Sequence, residues 1–480
     1  MEKYDVIFIA PPFHNGKETL WKQFDYFFPP YGLAHIAAYI RLFGFNSKII
    51  DCLVDCPDIN NFENYFYEQI FVKNITCKFF GITAVTPNID HAITISEIIK
   101  KFYPESVIIL GGPHATHEYR EIINIKSIDI IVLGEGEITL KEIIEGQNLA
   151  QIKGIVFKNK KNLEIIKTAK RERIKDLDIL PIPAYDLLKV EKYKAPKYSN
   201  NNIPSMSIVT SRGCNGNCTF CSKIFKHPYL MSAERVLYEI EFLYFKYGIK
   251  QIIFYDDNFT IDKNRVKKIC ESLINKKIKI KWTCFARVDA VNKEILSLMK
   301  KAGCEHIMYG VENFNKKVIE LINKNIKTED IFNAVSMTKE VGIKCRVSLM
   351  IGNPGESKKT IWENIKMINK LNPDYLQILI FHPLPGAPIY NYYKKNHLIT
   401  AKSWEEYNFT KPIFLHETLS QKQIKKYYIL MYLFFYLHPK FLIKQIINLF
   451  KKQERNNIIW GLKAFISFIL KNFILIIKNK

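Results

Sequence analysis

MSIVTSRGCNGNCTFCS, Met206 to Ser222, sets three cysteines on one loop directly after a short apolar strand. Cys214, Cys218 and Cys221 fall in the spacing CxxxCxxC. Gly213 and Gly216 let the backbone fold back so that three thiolates point inward, enough to wrap one corner of a cubane iron-sulfur cluster. Three protein ligands for four irons leave one iron open. A structural zinc site wants a fourth ligand in a CxxC-type pair, and the nearest candidate, His227, stands in no zinc-ligand spacing. A disulfide framework fits less well still. Met1 is followed by acidic and polar residues and a strand-like run, not by a signal-peptide pattern, so the expected compartment is the reducing cytoplasm. The other seven cysteines, Cys52, Cys56, Cys77, Cys270, Cys284, Cys304 and Cys345, sit singly in strand or helix patterns and read as buried small hydrophobes.

Downstream of the loop the apolar runs keep a strand-helix rhythm. Strands are expected at about 206–211, 251–256, 279–285, 304–309, 343–350 and 375–381, with helices at about 232–247, 262–275, 291–302, 315–341 in two pieces, and 358–371. Six such units predict a partial TIM-like barrel, whose chemistry belongs at the strands' carboxyl ends. Those ends read Asp256-Asp257-Asn258, Arg287, Gly310-Val311-Glu312 and Gly352-Asn353-Pro354-Gly355-Glu356, all polar after apolar runs. Any one of them alone reads more simply as a helix cap or turn.

Upstream, KYDVIFIA (3–10), SKIID (47–51), KFFGITAVT (78–86), VIILGGPHAT (107–116) and IDIIVLGEGE (128–137) read as strands, with helices in PPYGLAHIAAYIRLFGF (29–45) and from about Ile89 to Phe102. The alternation predicts a parallel, doubly wound sheet with ligands at its carboxyl edge. Small residues collect there: Gly81 with Thr83, Gly111 and Gly112 before His114, and Gly134 with Gly136. They leave room for a bulky planar ligand, or serve as the tight turns of any Rossmann-like domain, and His114 reads equally as a turn residue. Residues 151–200 hold a hairpin around Asn159 to Asn162 and then a Pro- and Lys-rich linker through Pro196. The expected fold class is therefore α/β: an N-terminal doubly wound, Rossmann-like domain (1–150), a linker (151–200), a central partial (β/α)6 TIM-like barrel (201–400) and a C-terminal helical region (401–480).

At 480 residues the chain is too long for one core, and 48% hydrophobic residues suffice for several. The net charge of +23 raises nucleic acid as a partner, yet its distribution points elsewhere. From Gln421 to Lys480 twelve Lys and Arg face one acid, Glu454, so about +11 of the total lies in a segment rich in Phe, Tyr, Ile and Leu. Its apolar runs, YYILMYLFFYL (427–437) and AFISFILKNFILII (464–477), are short of the ~20 residues of a spanning helix, and Lys471 interrupts the second. They read as helices lying in an anionic membrane surface, or as a cap on the open side of the barrel.

The cysteine spacing, with Phe220 before its last member, resembles the radical SAM signature, in which S-adenosylmethionine (SAM) binds the open iron. FYDDNFT, GVEN and IGNPGE resemble that superfamily's later landmarks. The glycine-rich strand ends, PPYGLAHIAAYIR and GEGE resemble the cobalamin-binding domain of its cobalamin-dependent branch. No DxHxxG segment is present; Asp90-His91 is followed by Ala92, so the resemblance implies cobalamin without a protein histidine on cobalt. It also implies cluster ligation by Cys214, Cys218 and Cys221, SAM contacts at Phe220, Arg287, Glu312, Gly352 and Glu356, and cobalamin contacts at Gly81, Thr83, Gly111, Gly112, His114, Gly134 and Gly136. Arg287 would pair with the SAM carboxylate. The implied activity uses a 4Fe-4S cluster and SAM to make a 5'-deoxyadenosyl radical, with cobalamin-dependent methyl transfer to an unactivated carbon of a small or lipid-like intermediate. Cyclisation or rearrangement, with or without cobalamin, and RNA modification are the alternatives, and no RNA-binding motif is visible. The implied partners are a flavodoxin- or ferredoxin-type electron donor and the substrate, with a cytoplasmic location reaching the inner membrane face by peripheral contact of the tail.

Overall fold

The computed structural model describes residues 2–12, 29–159, 162–193 and 204–477, with the backbone alone at 452–454 and 471–477. The hairpin tip at 160–161, Pro196 of the linker and the side chains of Lys452 and Lys471 lie outside the described residues.

The first sheet orders its strands β2-β1-β3-β4-β5-β6-β7. These are β1 Lys3–Ala10, β2 Ser47–Asp51, β3 Thr76–Thr83, β4 Val107–Gly111, β5 Ile130–Val132, β6 Ile155–Lys158 and β7 Ile165–Lys167. Pairing is parallel through β5 and antiparallel over β6 and β7, so the hairpin after residue 150 extends this sheet as its edge. Successive residues of β1 enter different cores, Val6 and Phe8 one and Ile7 and Ile9 the other. Both faces are therefore apolar and both are covered. Helix α1 (Tyr31–Arg41) contributes Leu33, Ala34, Ala37 and Ile40 to the first core. Between β2 and β3, α2 (Cys52–Asp55) and α3 (Phe62–Phe66) occupy a stretch outside the expected elements, and α4 (Ile89–Phe102) covers the second face. The strand expected through Thr116 stops at Gly111, because Pro113 suits the first turn of a helix, and α5 (Pro113–His117) and α6 (Tyr119–Ile122) follow. Likewise β5 ends at Val132, and α7 (Glu137–Ile144) starts within the GEGE segment.

The second sheet is all parallel, ordered β15-β14-β13-β12-β11-β8. Its strands β8 (Ser205–Ile208), β11 (Gln251–Phe254), β12 (Lys281–Ala286), β13 (Cys304–Glu312), β14 (Lys344–Ile351) and β15 (Tyr375–Ile380) match the six expected units. Between β8 and β11 a two-residue hairpin, β9 (Ser211–Arg212) against β10 (Tyr229–Leu230), pinches off the cysteine loop. Helices α8 (Ala233–Lys246), α9 (Lys263–Asn275), α10 (Lys293–Lys301), α11 (Lys316–Leu321), α12 (Thr328–Glu340) and α13 (Lys358–Leu371) form the outer layer, followed by α14 (Tyr390–Lys395).

Six strands leave a barrel open, and the free edge of β15 must be satisfied. Helix α15 (Gln421–Tyr436) does this with two tyrosines one turn apart. The Tyr432 hydroxyl accepts from Ile378 N at 2.8 Å and donates to Ile378 O at 3.2 Å, and Tyr436 meets Leu376 N and O in the same way at 3.4 and 3.1 Å. The first apolar run of the tail thus caps the barrel. Two further helices, α16 (Pro439–Leu449) and α17 (Lys452–Ile477), pack on it. Among the described residues no helix is long and apolar enough to cross a membrane.

Candidate functional site

The cysteine loop is built on backbone that only glycine adopts readily. Gly213 has φ +100°, and a side chain there would meet the carbonyl oxygens of His227 and Phe225. A Cβ at Gly216 would stand 3.5 Å from Cys214 Sγ, 3.9 Å from Cys218 Sγ and 3.6 Å from Arg287 Nη1, so the missing side chain keeps open the space between two thiols and a guanidinium. Cys218 is buried, whereas Cys214 and Cys221 are half-buried. Among the described residues no three His, Cys, Asp or Glu converge on one ion. A cubane takes its three thiolates on three separate irons, so its sulfurs stand further apart than those of a zinc site.

Cations surround the loop. Lys223 donates to the Gly216 carbonyl and, at 3.4 Å, to that of Cys214. Burial pushes the Cys218 thiol up, and Lys324 and Arg287 oppose that. Burial, with Asp257 and Cys218 adding to it, pushes Cys221 up to about 12. Lys324 pairs with Glu312 at 3.1 Å. Burial disfavours its charge, but Glu312 and the Cys218 thiol hold its ammonium above the ordinary lysine value. Glu312 itself sits at φ +65°, where β13 slips register against β14.

The remaining barrel residues divide by what already occupies them. Arg287 gives Nε and Nη2 to the two carboxylate oxygens of Asp289, at 2.9 and 2.8 Å, leaving Nη1 toward the cysteines. Glu356 is fully buried and accepts from Gly352 N at 2.6 Å, Asn353 N at 3.2 Å, Asn313 Nδ2 at 2.7 Å and Asn364 Nδ2 at 3.2 Å. Its carboxylate thereby ties the ends of β13 and β14 together. Gly352, at φ +83°, has no room for a Cβ beside Phe414. Phe220 is half-buried against the barrel core. Asp256 accepts from Thr210 N and Oγ1, both at 2.6 Å, and so joins the ends of β8 and β11.

On the first sheet the glycines also separate. Gly81 packs under Phe8, Gly136 under Ile36, and Gly112, at φ +97°, lies against Ala84 and Thr83. Gly111 faces open space, and Gly134 faces only the Phe225 ring. His114 is buried, with Nδ1 3.2 Å from Thr86 Oγ1 and its ring edge-on to Trp404 at 4.6 Å. Burial, helped by His117, lowers its pKa to about 4, so it is neutral. His91 spends both ring nitrogens on Pro12 O and Glu405, at 2.9 and 3.0 Å.

The two sheets meet through contacts that the sequence did not single out. Arg212, at the base of the cysteine loop, pairs with Glu135 at 2.9 Å and Glu137 at 2.5 Å, the two acids of GEGE. Arg173 donates to the carbonyls of His227 and Arg212 while lying over the rings of Phe225 and Tyr229, each 4.2 Å from its guanidinium carbon. Buried Glu239 accepts from Tyr31, Tyr185 and Arg235 at 2.9, 2.6 and 3.0 Å, one donor each from the first domain, the linker and the barrel.

Residues 208–368 match the radical SAM superfamily, and residues 19–144 match the B12 binding domain. An uncharacterized methyltransferase of Pyrococcus horikoshii is 33% identical over 426 residues, 87% of this chain and 90% of that protein. The chain belongs to the cobalamin-dependent radical SAM family. The anaerobic magnesium-protoporphyrin IX monomethyl ester cyclase of Rubrivivax gelatinosus is 27% identical over 478 residues, 96% of this chain and 82% of that one. Among solved structures, the cobalamin-dependent SAM radical enzyme OxsB, with aqua-cobalamin and SAM bound, superposes with a TM-score of 0.72 at 16% identity over 99% of this chain and 73% of that one.

As a cobalamin-dependent radical SAM enzyme the protein uses a 4Fe-4S cluster, SAM and cobalamin, and takes its electron from a reductant. Its residues fit these groups. Three thiols lie on one loop among Lys223, Arg287 and Lys324, which suits an anionic cluster. At the carboxyl end of β4, Gly111 faces open space, and Nε2 of the buried His114 has no hydrogen-bond partner among the described residues, whereas that of His117, also unpaired, packs against Gly386. Open space at a strand's carboxyl end, with an unmet ring nitrogen three residues further on, suits a bulky ligand fringed with amides.

Proposed function

We propose that this enzyme transfers a methyl group from cobalamin to an unactivated carbon of a small or lipid-like biosynthetic intermediate. The observation that carries this reading is the Arg212 bridge. It ties the base of the cysteine loop to GEGE, and so fixes the radical-forming loop against the cobalamin-binding edge. When bound, the cluster and SAM supply a 5'-deoxyadenosyl radical, and cobalamin supplies the methyl group. Cys214, Cys218 and Cys221 hold the cluster, while Lys223, Lys324 and Arg287 offset the charge of the thiolates. Arg287 reaches SAM through Nη1 only, as Asp289 holds the rest of its fork. Phe220 and Glu312 stand beside the SAM site, and Gly352 and Glu356 act on it by fixing the loop. Thr83, Gly111, Gly134 and His114 line the cobalamin edge, and Gly81, Gly112 and Gly136 shape its backbone.

The test is anaerobic turnover with trideuteromethyl-SAM, cobalamin and a low-potential reductant, on candidate substrates drawn from neighbouring biosynthetic steps. A product carrying the labelled methyl group is the expected result. Likeness to the cyclase along nearly all of the chain favours a second reading, oxidative cyclisation. That reading predicts loss of two hydrogens and no label. The electron donor we propose is of flavodoxin or ferredoxin type, and the enzyme works at the inner membrane face by peripheral contact of its C-terminal region.

A further inference from the structure

Helices α16 and α17 carry an apolar surface that the barrel does not use. Their inner sides are accounted for: Phe441 lies 5.1 Å from Tyr436, and Phe468 lies 5.3 Å from Tyr432 and 6.2 Å from Tyr428, all on α15. Their outer sides are not. Ile443, Ile446, Ile447 and Phe450, at i, i+3, i+4 and i+7, are exposed, Phe450 by 87%. Ile459, Leu462, Ile466 and Leu470 on α17, at i, i+3, i+7 and i+11, are exposed as well. Such spacing places each set on one side of its helix. A groove of about 420 Å³ on α17 is lined by Lys463, Ile466, Ser467 and Leu470.

Solvent-facing isoleucines in register cost free energy in water, so a surface of this kind marks a contact. Charge identifies the contact. Lys440, Lys451, Arg455 and Lys463 are exposed among these residues, in a segment where twelve basic residues face one acid. Apolar faces ringed by lysine and arginine fit an anionic lipid surface, in which the side chains sink below the headgroups and the cations meet phosphates. Among the described residues neither helix is long and apolar enough to span.

We infer that the outward faces of α16 and α17 seat the enzyme in an anionic phospholipid surface, while α15 remains part of the barrel. This deepens, and rests on, the peripheral placement proposed above. It assigns that contact to specific residues and removes the run 427–437 from it.

The experiment is co-sedimentation of the full-length holoenzyme with phosphatidylglycerol or phosphatidylcholine vesicles, without turnover, so its failure leaves the methyl-transfer reading untouched. Binding is expected to phosphatidylglycerol and not to phosphatidylcholine, and to weaken at least tenfold between about 0.1 and 0.5 M salt. The pair Phe450→Glu and Leu462→Glu should weaken it by at least about tenfold more, since each puts a charge where an apolar side chain would sink below the headgroups. Cluster content and SAM cleavage should stay unchanged. Absence of binding by the wild type, equal binding to both lipids, or undiminished binding of the double variant would overturn the assignment. So would a lipid-free dimer that the double variant splits, because the faces would then belong to a second copy.

Discussion

Burying a lysine beside a thiol and a carboxylate is costly unless each charge is answered, and around Lys324 each is. Glu312 reaches it at 3.1 Å from a left-handed backbone position, a conformation held only where the surroundings over-determine it. Lys324→Met leaves that carboxylate buried and unpaired, so about 3 kcal/mol of stability should be lost, read as a lower urea midpoint at unchanged m. An unchanged midpoint would show that the pair is dispensable. The cysteines answer to a different measurement. Cys214→Ala, Cys218→Ala or Cys221→Ala should each bring 5'-deoxyadenosine formation to background; a triple variant that still cleaved SAM would end the cluster assignment. The thiols were legible because their ligand spacing is local. Lys324 was not, since it lies over a hundred residues away on a loop with no periodic pattern, and only the packing of that loop under Cys218 gives it a role. Arg287 was legible in place but not in state, because Asp289, two residues on, takes most of its fork.

The parallel strands were legible as elements because strands buried on both faces read as apolar runs, and β1 and β2 fall where those runs do, as α13 falls where its apolar residues recur with a helical period. Boundaries slipped where a polar strand end turns straight into a helix, as at Gly112-Pro113. The run 427–437 was ambiguous for a physical reason. It is apolar nearly all round, so its pattern names no partner, and what settles the matter is two hydroxyls set one turn apart against the strand edge. Tyr432→Phe should cost about 1–2 kcal/mol, because it removes both a donor to Ile378 O and an acceptor for Ile378 N. Tyr436→Phe, with longer bonds, should cost less. The double variant should also aggregate sooner on heating, as β15 regains an open edge. If both single variants melted with the wild type, α15 would be packed on the barrel without closing it.

Across the whole molecule the domains are joined by charge as much as by apolar packing. Arg212→Met would leave Glu135 and Glu137 buried together without a counter-ion, at a cost of about 3–5 kcal/mol, and calorimetry should then resolve two transitions in place of one. Acid should act on the same architecture through histidines. Burial lowers the pKa of His114 and His382 to about 4 and that of His306 to about 3. In the unfolded chain these rings titrate near 6.5, so as pH falls the unfolded state takes up protons first. Their stabilisation is complete above pH ~6.5 and drains away toward pH ~4, by about 3 kcal/mol for a ring lowered to about 4. Asp51 and Glu356, raised by burial to about 6 and about 7, run the other way and lose stability as pH rises through that range. The total slope is a difference, and one ring must be isolated to test the argument. His382 donates Nε2–H to Lys411 O at 2.9 Å and stacks on Phe409 at 4.8 Å. His382→Phe keeps the stacking and removes the titration. Its melting temperature should lie below the wild type at pH 7.5 and draw level with it, or pass it, near pH 5. A constant gap between the two curves from pH 7.5 to 5 would mean that His382 does not stay neutral in the folded protein.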